Sequence, residues 1–255
     1  MALSEAYGGR LLRHEPSVGA GAQILVLLLF AVGFGLGPTG WLTGIVFVLV
    51  TWAVLTRALH RSWLTSFGPA NRVTLVRATL VGGVTTLVVD SFESRPPVTV
   101  LVVLTTVALI LDAVDGKVAR RTGTSSPLGA RFDMEVDAFL ILVLSAHVAA
   151  SLGAWVLLIG LMRYLFVGAA RFLPWLSNPL PPSTARKAVA ALQGILLLAV
   201  VTELCPRPLA WALAASALGL LMWSFGRDIG WLWRTRAPLA PVEECARQHM
   251  TAGQP

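Results

Sequence analysis

Asp112 and Asp115 stand three residues apart, and Asp133 and Asp137 four apart, in a chain of 255 residues that has only 13 acids. On helices, each spacing brings the pair onto one face, about a turn apart. Apolar sequence surrounds them: residues 101–111 lead in, and residues 138–150 lead away. Carboxylates at the ends of apolar helices are costly unless something positive binds them. If the two helices pack antiparallel, four carboxylates converge on one point. Oxygen-bound hard cations suit such a cluster, Mg2+ in particular, because it keeps water and phosphate oxygens in its shell. Gly116 removes a side chain beside Asp115 and lets a bulky group approach the backbone. Ala119, seven residues after Asp112, returns to nearly the same face. Arg120 adds a phosphate-binding cation that keeps its proton. Two metals, an arginine and small residues describe a pyrophosphate site. A lone acid at an interface is usually a solvated helix end; four at these spacings are not explained that way.

The elements that position these residues are membrane spans. Hydrophobic residues make up 56% of the chain and charged residues 13%, against about 25% charged in soluble domains. Mean hydropathy is +0.74. The reading is an all-α polytopic membrane bundle of about eight spans. An N-terminal hairpin runs from Gln23 to Leu36 and from Trp41 to Leu55, with a turn at 37–40. A cleaved signal peptide is the rival reading of this start, but no cleavage-like site follows and a second span arrives at once. Residues 62–77 are mixed and basic, suiting either a segment in the headgroup region or a plain loop. Six further spans are expected at about 69–89, 98–115, 128–150, 152–172, 184–201 and 209–233. The expected organisation is a tail over 1–20, a hairpin over 21–61, a core over 62–233 and a disordered tail over 234–255.

Basic residues orient the bundle. With the N-terminus inside, all of the 20 Lys and Arg residues except Arg95, Arg163 and Arg207 fall on the cytoplasmic side. Both termini and the acidic motif then face the cytoplasm, beside inner-leaflet headgroups. The net charge of +7 is accounted for by loop orientation and anionic lipid, with no call for nucleic acid. Cys205 and Cys245 fall on opposite sides, so no disulfide is expected. His14, His60, His147 and His249 are scattered and suggest neither a triad nor a zinc site.

The acidic stretch is similar to the signature of the CDP-alcohol phosphotransferase family, D-x-x-D-G-x-x-A-R-x8-G-x-x-x-D-x-x-x-D. Asp112, Asp115, Gly116, Ala119, Arg120, Gly129, Asp133 and Asp137 fill every fixed position. Asn71, Thr74 and Arg77 resemble the N-x-x-T-x-x-R that opens the family's first core span. The resemblance covers about 69–233, six core spans, and leaves the N-terminal hairpin outside with no chemistry assigned. It implies transfer of a substituted phosphate from a CDP-linked donor, CDP-diacylglycerol foremost, to an alcohol, with release of CMP. It also implies Asp112, Asp115 and Asp133 as ligands of Mg2+ or Mn2+. Asp137 would be the general base and would also touch the second metal. Asn71, Thr74, Arg77, Gly116, Ala119, Arg120 and Gly129 would line the donor site. Dimers are common in the family.

The acceptor is the least determined part. It is expected among glycerol 3-phosphate, inositol, inositol phosphate and other alcohols. Arg163 lies about 12 Å inside its span at helical rise; it either binds an acceptor phosphate or pairs with Asp133 or Asp137. Arg171, Arg186 and Lys187 flank a proline-rich loop and could hold a phosphorylated polyol, although positive-inside anchoring alone explains them. Glu135 points off the face shared by Asp133 and Asp137 and is left out of the site. Two other classes compare poorly. A Mg2+-dependent membrane prenyltransferase gives no role to the Gly-x-x-Ala-Arg pattern. A cation transporter needs acids near midplane and a path across the membrane.

Overall fold

The computed structural model describes residues 2–61, 69–94, 96–122, 127–181 and 183–235, with side chains described for 17–57, 73–94, 96–114, 129–181 and 183–235. Eight long helices run in chain order among the described residues: α1 (Ala2–Phe34), α2 (Pro38–Arg61), α3 (Pro69–Asp90), α4 (Val98–Thr122), α5 (Pro127–Leu152), α6 (Leu157–Phe172), α7 (Thr184–Val201) and α8 (Arg207–Thr235). Seven carry windows long and apolar enough to cross a membrane; in α4 the apolar stretch is the shorter Val98–Val114. This is a polytopic helical membrane bundle. Proline opens α2, α3 and α5, where its fixed φ suits the first turn and its missing N–H would have no partner anyway.

Several expectations shift in detail. Helix α1 begins at Ala2, so the polar stretch read as a tail is helical. The sixth span begins with a short 3-10 turn at Ala154–Val156, and the proline-rich loop contains another at Pro174–Ser177. The third span, expected from 69, is α3 from Pro69 onward, and the part of the basic segment from Pro69 is helical. The first part of that basic segment, 62–68, lies outside the described residues, as do 123–126, the tail from 236 and Cys245. Cys205 is a free, half-buried thiol.

Helix α3 is the axis of the bundle. Of its apolar window Val73–Asp90, 72% is buried, against 22% for each helix of the hairpin. It packs on α1, α2, α4 and α5. Val81, Val84, Leu87 and Val88 fill its core faces, and Leu140, Leu144 and Val148 of α5 join the same core. Its threonines return their hydroxyls to the backbone one turn earlier, Thr85 to Val81 at 2.7 Å and Thr86 to Gly82 at 2.9 Å. That satisfies polar groups where no water reaches. Leu25, Leu29 and Val32 of α1 and Leu42, Leu49 and Val50 of α2 are exposed, the surface a bilayer would cover.

Two close approaches fix the frame. Gly160 of α6 lies so near α5 that a Cβ there would collide with the Cα of Leu142. At the far end of α3, Asp90 is fully buried and accepts the Gly37 N–H at 2.9 Å and the Ser94 hydroxyl. A Cβ on Gly37 or Gly40 would come within 2.7 Å of the Asp90 Oδ1. The hairpin turn is thus seated on a carboxylate, and Thr39 adds a bond to Glu93 at 2.9 Å.

Candidate metal and phosphate site

Helices α4 and α5 reach the end of the bundle away from the Asp90 turn, and each delivers carboxylates there. Asp112 comes from α4; Asp133 and Asp137 come from successive turns of α5. One oxygen from each of the three lies within 4.8 Å of the others. The side chains are 37%, 34% and 43% exposed, so the cluster is open to its surroundings while its helices remain in apolar packing.

Arg77 closes the cluster from α3. Its guanidinium, fully buried, donates through Nη1 to Asp112 Oδ1 at 2.7 Å and to Asp133 Oδ1 at 2.5 Å. Nη2 donates to Asp137 Oδ1 and to the Asp133 carbonyl at 3.3 Å. One cation holds three acids, so a net negative charge remains among these four groups. Hard oxygen donors, a charge surplus and partial exposure are what a divalent ion with phosphate in its shell requires. The donor set therefore fits the metal that the sequence implied.

The other expected residues fall into place unevenly. Thr74 is buried one turn before Arg77, and Gly129 is half-buried one turn before Asp133. Asp115, Gly116, Ala119 and Arg120 belong to α4, but their side chains lie outside the described residues, as does that of Asn71. Arg163 pairs with neither Asp133 nor Asp137. Its Nη2 meets Glu135 Oε1 at 2.5 Å, and its Nη1 approaches the Met134 sulfur at 3.4 Å. Glu135, turned off the acidic face, serves the seam between α5 and α6. Arg186 binds Asp228 at 3.2 Å and the Pro181 carbonyl at 2.5 Å. Arg227 reaches the same Asp228 at 3.2 Å, lies 5.1 Å from the Trp223 ring centre and bonds Ser183. Arg171 and Lys187 are exposed.

Sequence reasoning placed Arg77 with the donor and missed its contact with the acids. A signal existed. A short turn joins α3 to α4, Arg77 lies 13 residues before Asp90, and Asp112 lies 14 after Val98. Antiparallel packing sets them level.

The fold and the site together define a polytopic membrane bundle with partly exposed carboxylates gathered at one end of its spans. A family model described as CDP-alcohol phosphatidyltransferase matches residues 67–223, and the chain belongs to that family. Human cholinephosphotransferase 1 is 36% identical over 110 residues, which cover 38% of this chain and 27% of that protein. The chain thus matches about a quarter of the length of this curated relative. No solved structure matches.

Proposed function

We propose that the chain transfers a phosphatidyl group from CDP-diacylglycerol to a small alcohol and releases CMP. The observation that supports this most is the convergence of Asp112, Asp133 and Asp137, all partly exposed, at one end of the spans, where a lipid-linked pyrophosphate and a water-soluble alcohol can meet. Asp137, the most exposed of the three, takes the proton of the acceptor hydroxyl. The alkoxide oxygen attacks the phosphorus attached to the lipid, and the bond from that phosphorus to the CMP oxygen breaks.

Asp112, Asp133 and, from its place in the signature, Asp115 would hold Mg2+ or Mn2+, with Asp137 also within reach of a second ion. The bound ions would supply positive charge to the pyrophosphate as CMP leaves. Arg120 would bind a phosphate, and Gly116, Ala119 and Gly129 would leave room for the cytidine. Asn71 and Thr74 would line the same side. Arg77 takes a different part in this reading: its guanidinium is committed to the carboxylates, so it acts as a positioning residue that sets their spacing. Arg163 and Arg186 are engaged in ion pairs, which leaves Arg171 and Lys187 as the acceptor-side cations with the most freedom. The carboxylate end faces the cytoplasm by the distribution of basic residues.

The relative's name favours a second reading, in which CDP carries the small alcohol and a lipid hydroxyl attacks. The same carboxylates serve both. Purified protein in lipid nanodiscs, given labelled CDP-diacylglycerol with glycerol 3-phosphate or inositol phosphate, is expected to release CMP and form labelled phospholipid. Product only from CDP-choline with diacylglycerol would establish the second reading. No CMP from either donor pair would overturn both.

A further inference from the structure

The N-terminal hairpin lies outside the acidic signature, yet its two helices and α3 share a polar point deep in the membrane. Gly82 sits halfway along the apolar window Val73–Asp90 of α3. A Cβ there would come within 2.6 Å of both Gln23 Nε2 of α1 and the Phe47 ring of α2, so all three helices meet at this level. Gln23 is 3% exposed, and neither its amide nitrogen nor its amide oxygen has a hydrogen-bond partner among the described residues. Hydrocarbon offers an amide neither donor nor acceptor, so an unbonded one is costly there.

The packing around Gln23 leaves a space of about 10 Å3. One water fits a space of that size, and nothing larger does. Leu55, Leu75 and Ala78 wall it with buried apolar side chains. Two hydroxyls stand in the same walls, Thr51 from α2 and Thr79 from α3. Thr79 gives its hydrogen to the Leu75 carbonyl at 3.1 Å, which leaves the lone pairs of its oxygen to accept another. Leu75, Thr79 and Gly82 follow one another at helical spacing and share the face of α3 that Gln23 meets. Arg77, midway in sequence between Leu75 and Thr79, points to another face, so the helix itself separates this space from the carboxylates.

We infer that this space is the site of a single buried water that bridges Gln23 of α1 to Thr79 of α3 and Thr51 of α2 in the middle of the membrane. One water and a primary amide are well matched. The amide donates one N–H to the water oxygen, and the water returns one hydrogen to the amide oxygen, so both polar atoms of Gln23 are served. The second water hydrogen goes to Thr79 Oγ1, and the remaining lone pair of the water accepts the Thr51 hydroxyl. Buried waters ordinarily make about two to four such bonds. The hairpin is then fastened to α3 at two levels, by Asp90 at its turn and by this water halfway along the span. Two fixed points set the tilt of the hairpin, which one would leave free.

Gln23→Leu separates a water-held amide from a dry one by the sign of its effect. Removing an unbonded amide at little change of bulk raises stability, whereas removing a bonded one lowers it. Thermal unfolding of the full chain in lipid nanodiscs is expected to show Tm lowered by about 2–4 °C. Thr79→Val is expected to lower Tm by a smaller amount, and the double variant to lose less than the sum, because the two side chains share one water. A crystal structure of the wild type, at a resolution that shows ordered waters, is expected to place one within about 3.2 Å of both Gln23 and Thr79. Should Gln23→Leu not assemble, Thr79→Val and the wild-type structure decide. Three results would overturn the inference: a Tm equal to or above wild type in either single variant; additive losses in the double variant; or a Gln23 amide that bonds Thr51 or Thr79 directly, with no water between.

Discussion

Helix α3 carries a buried ionisable side chain toward each end of its span, and the two are treated differently. Asp90, at the hairpin end, meets neutral donors at close range: a backbone N–H from Gly37 and a hydroxyl from Ser94. The first ties the hairpin turn to α3, and the second closes the turn that follows α3. Arg77, 13 residues earlier, meets three carboxylates that are each more than one-third exposed. Those acids outnumber it, and they remain partly exposed. A buried group matched by neutral donors fixes the fold, whereas a buried group outnumbered by partly exposed opposite charges leaves chemistry to be done. Charge surplus together with exposure separates a site from a joint.

Substitutions can break that contrast. The largest expected effect is at Asp137. Asp137→Asn should lower kcat by about 10²–10⁴-fold, the usual span for loss of a general base, with an unchanged elution profile on size exclusion. Retained CMP release would remove Asp137 from the reaction. Chelation comes next: EDTA should abolish turnover and added Mg2+ or Mn2+ restore it, measured as CMP release before and after readdition. Activity that persists in chelator would argue against the metal reading of Asp112 and Asp133.

Arg77→Gln should affect both stability and rate. It leaves three carboxylates facing one another, and breaking a buried ion pair costs about 3–5 kcal/mol. Thermal unfolding in detergent should show the loss, and Mg2+ should recover part of it by supplying positive charge to the same oxygens. Asp90→Ala should cost about 1–3 kcal/mol through an orphaned Gly37 N–H and leave turnover within about twofold, since stabilities of this size leave kcat alone when the fold persists. An Asp90 variant as inactive as Asp137→Asn would erase the distinction between the two ends. Glu135→Gln is expected to be smallest, about 0.2–1 kcal/mol in unfolding, because Glu135 is 57% exposed in its pair with Arg163.

The spans were legible because apolar runs bounded by Pro and Gly leave few alternatives. The acidic cluster was legible because three- and four-residue spacings assign a helix face. Lateral neighbours were harder to read. Spacing along α5 turned Glu135 away from Asp133, but nothing along that helix says that Arg163 waits on α6. Arg186 was open to both an anchoring and an acceptor role because its partner Asp228 lies 42 residues away on α8. That Asp90 is buried under Gly37 depends on how the hairpin docks, a tertiary fact. The helical start of α1 at Ala2 shows the same limit, since composition there argued for a tail.

Gly160 has a mechanical consequence for the metal site. Its contact with the Leu142 backbone lies five residues, about 7.5 Å along the helix, beyond Asp137 on α5. Metal and proton chemistry tolerates misplacement of only about 0.5 Å. The seam therefore works as a datum, like the fixed jaw of a caliper, from which the positions of Asp133 and Asp137 are set relative to Asp112 across the gap. One added methyl group there would not touch a substrate, yet it would reset the gauge for the whole cluster.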